Sequence, residues 1–150
     1  MIDAATQSNE STKSIVVERE MPHAPEKIWR ALTGAALIAD WLMENDFEPV
    51  VGRKFQFRAR PMPGWSGVTN CKVVEVEPPR RLAYRWGYGS ESESGLKTLV
   101  TWTLTPTATG TLVRMEQSGF RPQDEGGYQA MRGGWPRILE GLERVAGRRE

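Results

Sequence analysis

The polar residues that could orient a ligand in this chain lie in short strand-like segments. Four of them stand among apolar neighbours: Arg58, Asn70, Tyr84 and Gln117. Gln117 has the same alternation as Val113 and Met115, so we expect its side chain to point toward the interior. A buried amide without partners costs about 1–3 kcal/mol, and a ligand or a structural hydrogen bond would satisfy it equally well. Arg58 has the opposite alternation to Phe57 and is predicted to face water.

Acid–base, nucleophilic and metal chemistry have little support in the sequence. His23, the single histidine, adjoins Pro22 at a strand-to-helix junction, where a surface turn explains it better than a general base. No serine or cysteine stands in an evident nucleophile motif with a histidine partner, and Gly87-Tyr88-Gly89 is not a full dinucleotide-binding pattern. Four acidic residues lack the repeat of a calcium loop and are predicted to form a solvated rim: Asp40, Glu44, Asp46 and Glu48. We predict no catalytic residue, no metal site and no cofactor.

Aromatic residues are distributed so that many of them can meet in one apolar region. The candidates for the wall of a ligand cavity are Trp41, Phe55, Phe57, Tyr84, Trp86, Trp102 and Trp135, together with Met115, Ile138, Leu139 and Leu142. An apolar cavity with a few placed polar groups is the usual site for a small molecule. The same side chains could instead fill a packed core, and for any single one of them the sequence favours packing.

The last quarter of the chain predicts the helix around which these residues gather. Apolar residues follow Gly134-Trp135 at the spacing of an amphipathic helix: Ile138, Leu139, Leu142 and Val145. Pro136 removes one i to i−4 hydrogen bond and clashes one turn back. We therefore expect a kink or a restart of the helix at this proline, aided by Gly133 and Gly134.

Most of the chain before this helix has the pattern of strands. Residues 14–21 predict a first strand, Pro25 opens a short helix, and a second short helix covers residues 35–42. Period-two alternation predicts further strands near residues 54–58, 68–76, 82–86, 100–104 and 113–117, with a bulge within 68–76 and a solvated hairpin loop at 87–95. Consecutive strands joined by short turns indicate an antiparallel meander. The prediction is an α+β fold in which a curved sheet grips the final helix.

Length and composition restrict the class of protein. A chain of 150 residues is expected to form one domain, here residues 14–147 after a disordered tail at 1–13. Twenty basic and 19 acidic residues give a net charge of +1, so no nucleic-acid partner is predicted. Cys71 is the one cysteine and is predicted to be an inert, semi-buried thiol. No apolar run reaches the ~20 residues of a membrane span, and the N-terminus lacks the apolar region of a signal peptide, so we predict a cytoplasmic location.

Several motifs occur in an order that matches one superfamily. They are residues 24–33 (APEKIWRALT), Trp41, Val51-Gly52 before Phe55, residues 74–86, Gly110-Thr111 and Gly134-Trp135. Together they resemble the START-like (SRPBCC) superfamily, and more closely its branch named after the activator of the heat-shock-protein-90 ATPase. The resemblance covers roughly residues 14–145. Each motif alone is weak, but their order and spacing are specific for the fold.

This resemblance implies the helix-grip fold: a curved antiparallel sheet of about six or seven strands around a long C-terminal helix, with two short helices after the first strand. It also implies a cavity between sheet and helix that binds a lipid, sterol, polyketide or aromatic compound. The predicted ligand-binding residues are Trp41, Phe55, Phe57, Tyr84, Trp86, Trp102, Met115, Gln117, Trp135 and Leu139. Two alternatives stay open. One is a cyclase- or hydrolase-like enzyme in which Tyr84, Gln117 and Asp40 orient and protonate a substrate, and the other is a chaperone-modulating interaction module.

Overall fold

Seven strands, three α-helices and one 3-10 turn make up the part of the chain that the computed structural model describes, residues 12–63, 66–87 and 96–148. The strands are β1 (Lys13–Met21), β2 (Glu44–Asn45), β3 (Lys54–Arg58), β4 (Val68–Glu77), β5 (Arg81–Trp86), β6 (Thr98–Pro106) and β7 (Thr111–Phe120). The helices are α1 (Pro25–Thr33), α2 (Ala35–Trp41) and α3 (Glu125–Ala146), and the 3-10 turn is Pro122–Asp124. Residues 1–11 of the predicted tail and 88–95 of the predicted loop lie outside this description, and Lys13 belongs to β1.

The strands form one antiparallel sheet in the order β1-β7-β6-β5-β4-β3-β2. Each strand from β2 to β7 pairs with the next along the chain, as a meander requires, and β1 completes the sheet by pairing with β7. On β6, alternation directs Val100, Trp102 and Leu104 to the buried face. Trp102 lies opposite Leu82 of β5 and Met115 of β7. The predicted α+β helix-grip fold, with two short helices after β1 and a long final helix, is confirmed.

Strand β4 contains the bulge that its irregular alternation predicts. Val73 pairs with Tyr84 and Glu75 pairs with Ala83, which leaves Val74 as the additional residue. The bulge exchanges the two faces of the strand beyond this point. As a result Val76 packs against the core, whereas the carboxylate of Glu75 accepts a hydrogen bond from Arg81 at the surface.

The Gly110-Thr111 pair joins the start of β7 to the junction between β1 and α1. A Cβ atom on residue 110 would overlap the main-chain oxygen of Met21, so this close approach of two backbones requires glycine. The Thr111 hydroxyl donates a 2.7 Å hydrogen bond to the carbonyl oxygen of His23. Pro25 then begins α1 as predicted, at a position where no main-chain N–H is needed.

The final helix, α3, is longer than expected and has two unlike halves. It begins at Glu125 and continues through Pro136. Of the kink or restart predicted at this proline, the restart is wrong, and the kink stays a prediction. Pro136 removes one hydrogen bond, but Trp135 and Leu139 are buried on either side of it, and tertiary packing supplies most of the stability of a helix. The second half is the gripped part, whereas residues 125–134 are mainly exposed. Neither α3 nor any other described helix is long and apolar enough to cross a membrane.

Candidate functional site

A pocket of about 550 Å³ opens between the first half of α3 and the end of the sheet where β4 begins and β5 ends. Small and apolar residues form its helix wall: Gly126, Gly127, Ala130, Met131, Gly134 and Ile138. The opposite wall comes from the strand ends and the rim: Leu42, Met43, Met62, Val68, Thr69 and Leu96. Sites for small molecules in proteins have volumes of about 300–1,000 Å³ and linings that are mainly apolar. The size and lining of this pocket are therefore suited to a small apolar molecule.

Glycine residues provide the space on the helix side. Outside the backbone of α3 itself, no atom lies within 4 Å of the position that a Cβ would take at Gly126, Gly127 or Gly134. Gly126, Ala130 and Gly134 recur every four residues and so share one face of the helix. Each glycine costs about 1 kcal/mol relative to alanine in a helix. The first half of α3 thus has low intrinsic stability where it borders the pocket.

Two tryptophan side chains meet at the inner end of the pocket. The rings of Trp86 and Trp135 lie edge to face with their centroids 5.7 Å apart. The indole Nε1 of Trp135 donates a 2.8 Å hydrogen bond to Oε1 of Gln117. The main-chain oxygen of Trp86 accepts a 2.9 Å hydrogen bond from the hydroxyl of Thr98. Hydrogen bonds to the buried residues Gln117 and Thr98 therefore hold both tryptophans in place.

Gln117 joins these two hydrogen bonds into one chain. Its Nε2 donates to the hydroxyl oxygen of Thr98 at 2.9 Å, while its Oε1 accepts from Trp135. The side chain is fully buried, which confirms the prediction that it points inward. The sequence left open whether a ligand or a hydrogen bond within the protein satisfies this amide. In the structure, hydrogen bonds to Thr98 and Trp135 satisfy it.

A second hydrogen bond between aromatic side chains lies deeper in the core. Trp102 packs edge to face against Trp41 at 5.6 Å and against Trp135 at 5.9 Å, measured between ring centroids. Its Nε1 donates to the hydroxyl oxygen of Tyr84 at 3.0 Å. Burial raises the pKa of Tyr84 far above its ordinary value. The hydroxyl therefore stays protonated at physiological pH and serves as a structural partner of Trp102.

Three phenylalanines complete this aromatic core on the β3 side. Phe55 lies 5.3 Å from Phe57 and 5.1 Å from Phe47 between ring centroids, in both cases edge to face. Phe57 lies 5.1 Å from Trp86, so the phenylalanines contact the inner end of the pocket through that ring. Edge-to-face pairs at such distances add about 0.5–1.5 kcal/mol each beyond the burial of their area.

The structure separates the ten predicted ligand-binding residues into two groups. Trp86 and Trp135 line the pocket. The other eight are buried in the core behind it: Trp41, Phe55, Phe57, Tyr84, Trp102, Met115, Gln117 and Leu139. Of the further candidates for the cavity wall, Ile138 lines the pocket and Leu142 is fully buried. A role of the eight buried residues in ligand binding stays a prediction.

Several lining residues were not among the predicted ones. Met43, Met62 and Met131 contribute flexible thioether side chains that adapt to irregular ligands. The glycines at positions 126, 127, 133 and 134 are visible in the sequence, but only Gly133 and Gly134 have a role in the prediction, in the kink or restart expected at Pro136. Nothing in the sequence alone indicates that Met43 and Met62 approach α3, because their contact with the pocket depends on the path of the chain after α2 and β3.

The register of β3 on β4 decides which polar groups of β4 reach the pocket. Thr69 lies opposite the buried Phe57, which places its side chain on the inner face of the sheet. Asn70 lies opposite Gln56 on the outer face, where Nε2 of Gln56 donates to its Oδ1 at 2.8 Å. Arg58 is exposed, as predicted, and donates to Oε1 of Gln56 at 2.6 Å. Both Thr69 and Asn70 line the pocket, and Thr69 supplies the polar side chain of β4 on the inner face of the sheet.

Asp124 is the single ionisable side chain among the described residues that line the pocket. Its Oδ2 accepts hydrogen bonds from the main-chain N and from Nε of Arg121 at 2.8 and 2.9 Å, and its Oδ1 accepts from the same guanidinium at 3.0 Å. Burial raises the pKa of the Asp124 carboxyl, but the hydrogen bonds from Arg121 outweigh burial and the pKa lies below its ordinary value. The carboxylate is thus charged and paired with Arg121.

The remaining candidates for chemistry lie away from the pocket. The ring of His23 packs on the backbone of Gly147 at the end of α3, in a shallow depression beside the 2.7 Å ion pair of Arg19 and Glu143. Cys71 is buried, and burial raises the pKa of its thiol far above the ordinary value. The four acidic residues predicted to form a solvated rim are all exposed: Asp40, Glu44, Asp46 and Glu48.

Comparison with known protein families gives one match, over residues 22–147, to the family described as "Activator of Hsp90 ATPase homolog 1-like protein". The match covers most of the chain and includes every helix and every strand after β1. No match was found among curated proteins.

Solved structures of bacterial proteins share the fold. Protein MLL2253 from Mesorhizobium loti is 47% identical, with a TM-score of 0.82 over 92% of this chain and 99% of that chain. BH1534 from Bacillus halodurans is 23% identical, with a TM-score of 0.74 over 91% and 99% of the two chains. A structure described as the Aha1 dimer from Colwellia psychrerythraea is 22% identical, with a TM-score of 0.75 over 89% and 96%. The likeness to the last two shows a common fold.

Proposed function

Because the chain belongs to the START-like family of activator of Hsp90 ATPase homolog 1-like proteins, we propose that it binds a small hydrophobic molecule in the pocket beside α3. The observation that carries this proposal is the mostly apolar pocket of about 550 Å³, bordered on one side by glycine backbone and on another by Trp86 and Trp135. A lipid, a sterol, a polyketide or another aromatic compound has the required apolar surface.

The energetics of burial support binding of such a molecule. Burial of about 200 Å² of apolar ligand surface contributes roughly 5 kcal/mol at 25 cal/mol per Å². Part of this is lost to the entropy of association and to the ordering of mobile side chains. The hydrogen bonds of Trp135 and Trp86 to Gln117 and Thr98 lower the second cost, because they hold the inner end of the pocket in place before a ligand arrives.

The predicted residues have two roles in this proposal. Trp86 and Trp135 contact the ligand directly, together with the lining methionines. The eight buried residues support these contacts from behind, through the ring packing of Trp102 and Phe57 against the two tryptophans. Ligand-induced changes at the buried residues are therefore expected to be smaller than at the lining ones.

An amide NMR titration with pooled hydrophobic compounds tests the proposal. The pools contain sterols, fatty alcohols, flavonoids and polyketide-like aromatic compounds. We expect saturable shifts of the amides of Gly126, Gly127 and Gly134 and of the indole N–H signals of Trp86 and Trp135. Unchanged spectra with every pool, or shifts restricted to residues far from the pocket, would contradict the proposal.

A cyclase- or hydrolase-like activity has weaker support from the geometry. General acid–base catalysis needs a titratable group within hydrogen-bond reach of the substrate. The one ionisable side chain among the described lining residues, Asp124, is engaged by Arg121, and Asp40 lies at the surface, bonded to Arg148 at 2.6 Å. The geometry therefore favours binding over catalysis.

Modulation of a chaperone remains a hypothesis that follows from the name of the family. No contact or surface feature of the described residues is specific to it. An ATPase assay with the heat-shock-protein-90 homologue of the host tests it: a rise in ATP turnover on addition of this protein would support the hypothesis, and an unchanged turnover would contradict it.

A further inference from the structure

We infer that the pocket selects electrically neutral ligands and discriminates against carboxylates and phosphates of the same size. This inference rests on the proposed function, since it specifies the chemical class of ligand for the same pocket. It depends on the charges of the side chains that line the pocket.

The charge of the lining is the first observation. Among the described residues that line the pocket, no lysine or arginine is present, and the single ionisable group is the carboxylate of Asp124. Both of its oxygens accept hydrogen bonds from Arg121, whose guanidinium is therefore already paired. Because Asp124 and Arg121 neutralise each other, an anionic ligand would find no free cation among the described lining residues to pair with.

The basic side chains of the described residues lie outside the lining. Arg58, Arg60, Lys97 and Arg132 are exposed and do not line the pocket. Arg121 is half-buried and is paired with Asp124.

Desolvation converts this charge distribution into selectivity. A charged group that enters an apolar site loses its hydration and needs a paired, hydrogen-bonded partner in return. A neutral hydroxyl needs only one hydrogen bond, and the hydroxyl of Thr69 lies on the inner face of the sheet at the pocket wall. We therefore expect an alcohol to bind at least about tenfold more tightly than the matching carboxylate at neutral pH.

Matched ligand pairs test the inference directly. The aliphatic pair is decan-1-ol and decanoate, and the aromatic pair is 2-naphthalenemethanol and 2-naphthoate. Dissociation constants are measured by the tryptophan fluorescence of the intact protein at pH 8. Tighter binding of the neutral member by about tenfold or more supports the inference. Selectivity below threefold, or tighter binding of the carboxylate, would overturn the inference. If none of the four compounds binds, that result contradicts the proposed function itself.

Acidification provides a second readout. A bound carboxylate without a partner takes up a proton more readily than in water, because burial disfavours its charged form. The affinity for decanoate should therefore rise as the pH falls from 8 to 5, while the affinity for decan-1-ol stays constant. An affinity for decanoate that falls or does not change over this range would overturn the inference.

A single substitution should reverse the selectivity. Met131 is half-buried on the helix wall of the pocket, where a long side chain can reach the interior while its backbone stays at the surface. Met131→Lys is expected to tighten binding of decanoate at least about tenfold relative to Met131→Leu, the neutral control, by supplying the missing cation. Dispersed amide spectra establish that both variants are folded. Equal decanoate affinities of the two folded variants would contradict the inference.

Discussion

The indole nitrogen of Trp135 lies 2.8 Å from Oε1 of Gln117, and this contact joins the long helix to the centre of the sheet. Gln117 lies on β7, and its Nε2 donates a hydrogen bond to the hydroxyl of Thr98 on β6. The Thr98 hydroxyl in turn donates to the main-chain oxygen of Trp86 on β5. One buried amide thus links α3 to three adjacent strands. Both tryptophans at the inner end of the pocket depend on it.

Replacement of Gln117 by leucine is expected to lower the free energy of unfolding by about 2–3 kcal/mol, because it leaves the buried N–H of Trp135 without an acceptor. Urea unfolding followed by circular dichroism measures this change. Gln129→Ala is a suitable control, since Gln129 is an exposed residue of α3 and should change stability by less than about 0.5 kcal/mol.

A double variant separates the hydrogen bond from the packing. Trp135→Phe removes the indole donor, so Gln117→Leu should cost about 1 kcal/mol less in that background than in the wild-type protein. Strictly additive effects of the two substitutions would show that the hydrogen bond does not stabilise the fold.

Filling the glycine wall should abolish ligand binding without unfolding the protein. In Gly127→Leu the new side chain is expected to occupy pocket volume, because no atom outside the helix backbone lies within 4 Å of the Cβ position. Affinity for hydrophobic ligands should fall by about tenfold or more, measured by fluorescence titration. Gly133→Leu is the matched control, since Gly133 lies in the same helix with equal space around it but does not line the pocket. Equal affinities of the two variants would place the binding site elsewhere.

The sequence predicted the fold well because two kinds of local signal agreed. The alternation on β6 shows which face of the strand is buried, and the helical spacing after Trp135 shows which face of the helix is buried. Both faces pack against the same core, so the two signals are consistent. A bulge within residues 68–76 was also predictable, because the broken alternation of this segment is visible in the sequence. The close approach of Gly110 to the backbone of Met21 became apparent only in the structure.

The pocket was harder to predict because it results from side chains that are absent. Large aromatic residues such as Trp102 and Phe57 suggested a cavity wall, yet these rings pack against one another and fill the space between them. The open volume lies beside Gly126, Gly127 and Gly134 instead. Periodicity identifies buried positions, but it does not distinguish a side chain in a packed core from one that borders a void.

Glycine substitutions outside the pocket should affect stability in opposite directions. Gly133→Ala is expected to raise the free energy of unfolding by up to about 1 kcal/mol, because this exposed helical position has room for a methyl group and alanine favours the helix. Gly110→Ala should destabilise the protein by more than about 2 kcal/mol, because its Cβ would overlap the main-chain oxygen of Met21. Urea unfolding measures both, and a stabilising Gly110→Ala would contradict the close approach of these backbones.

The ion pair of Asp124 with Arg121 should make stability depend on pH in the acid range. The folded-state pKa of Asp124 lies below its ordinary value, so the stabilisation is fully present above the unfolded-state pKa of about 3.9 and is lost as the pH falls through the folded-state pKa. Asp124→Asn removes this titration. The wild-type protein should therefore exceed the variant in stability by about 1–2 kcal/mol at pH 7, and the difference should decrease below pH 4. A difference that stays constant between pH 7 and pH 2.5 would contradict the assignment.

The thiol of Cys71 provides a probe of how often the sheet opens. The side chain is 1% exposed, and burial raises the pKa of the thiol far above its ordinary value, so the folded state offers neither access nor thiolate to a disulfide reagent. Modification should then require opening of β4, which a domain of ordinary stability undergoes in fewer than roughly one in 10³ molecules. We expect the rate of reaction with Ellman's reagent to be at least about 10³-fold lower in buffer than in concentrated guanidinium, with Cys71→Ser as the unreactive control.

A hydrophobic ligand that binds the folded state should slow the reaction further, by about a hundredfold at a free concentration 100 times its dissociation constant. Rapid modification of the folded protein would show that β4 opens locally, and a rate that a saturating ligand leaves unchanged would show that this opening does not disturb the pocket.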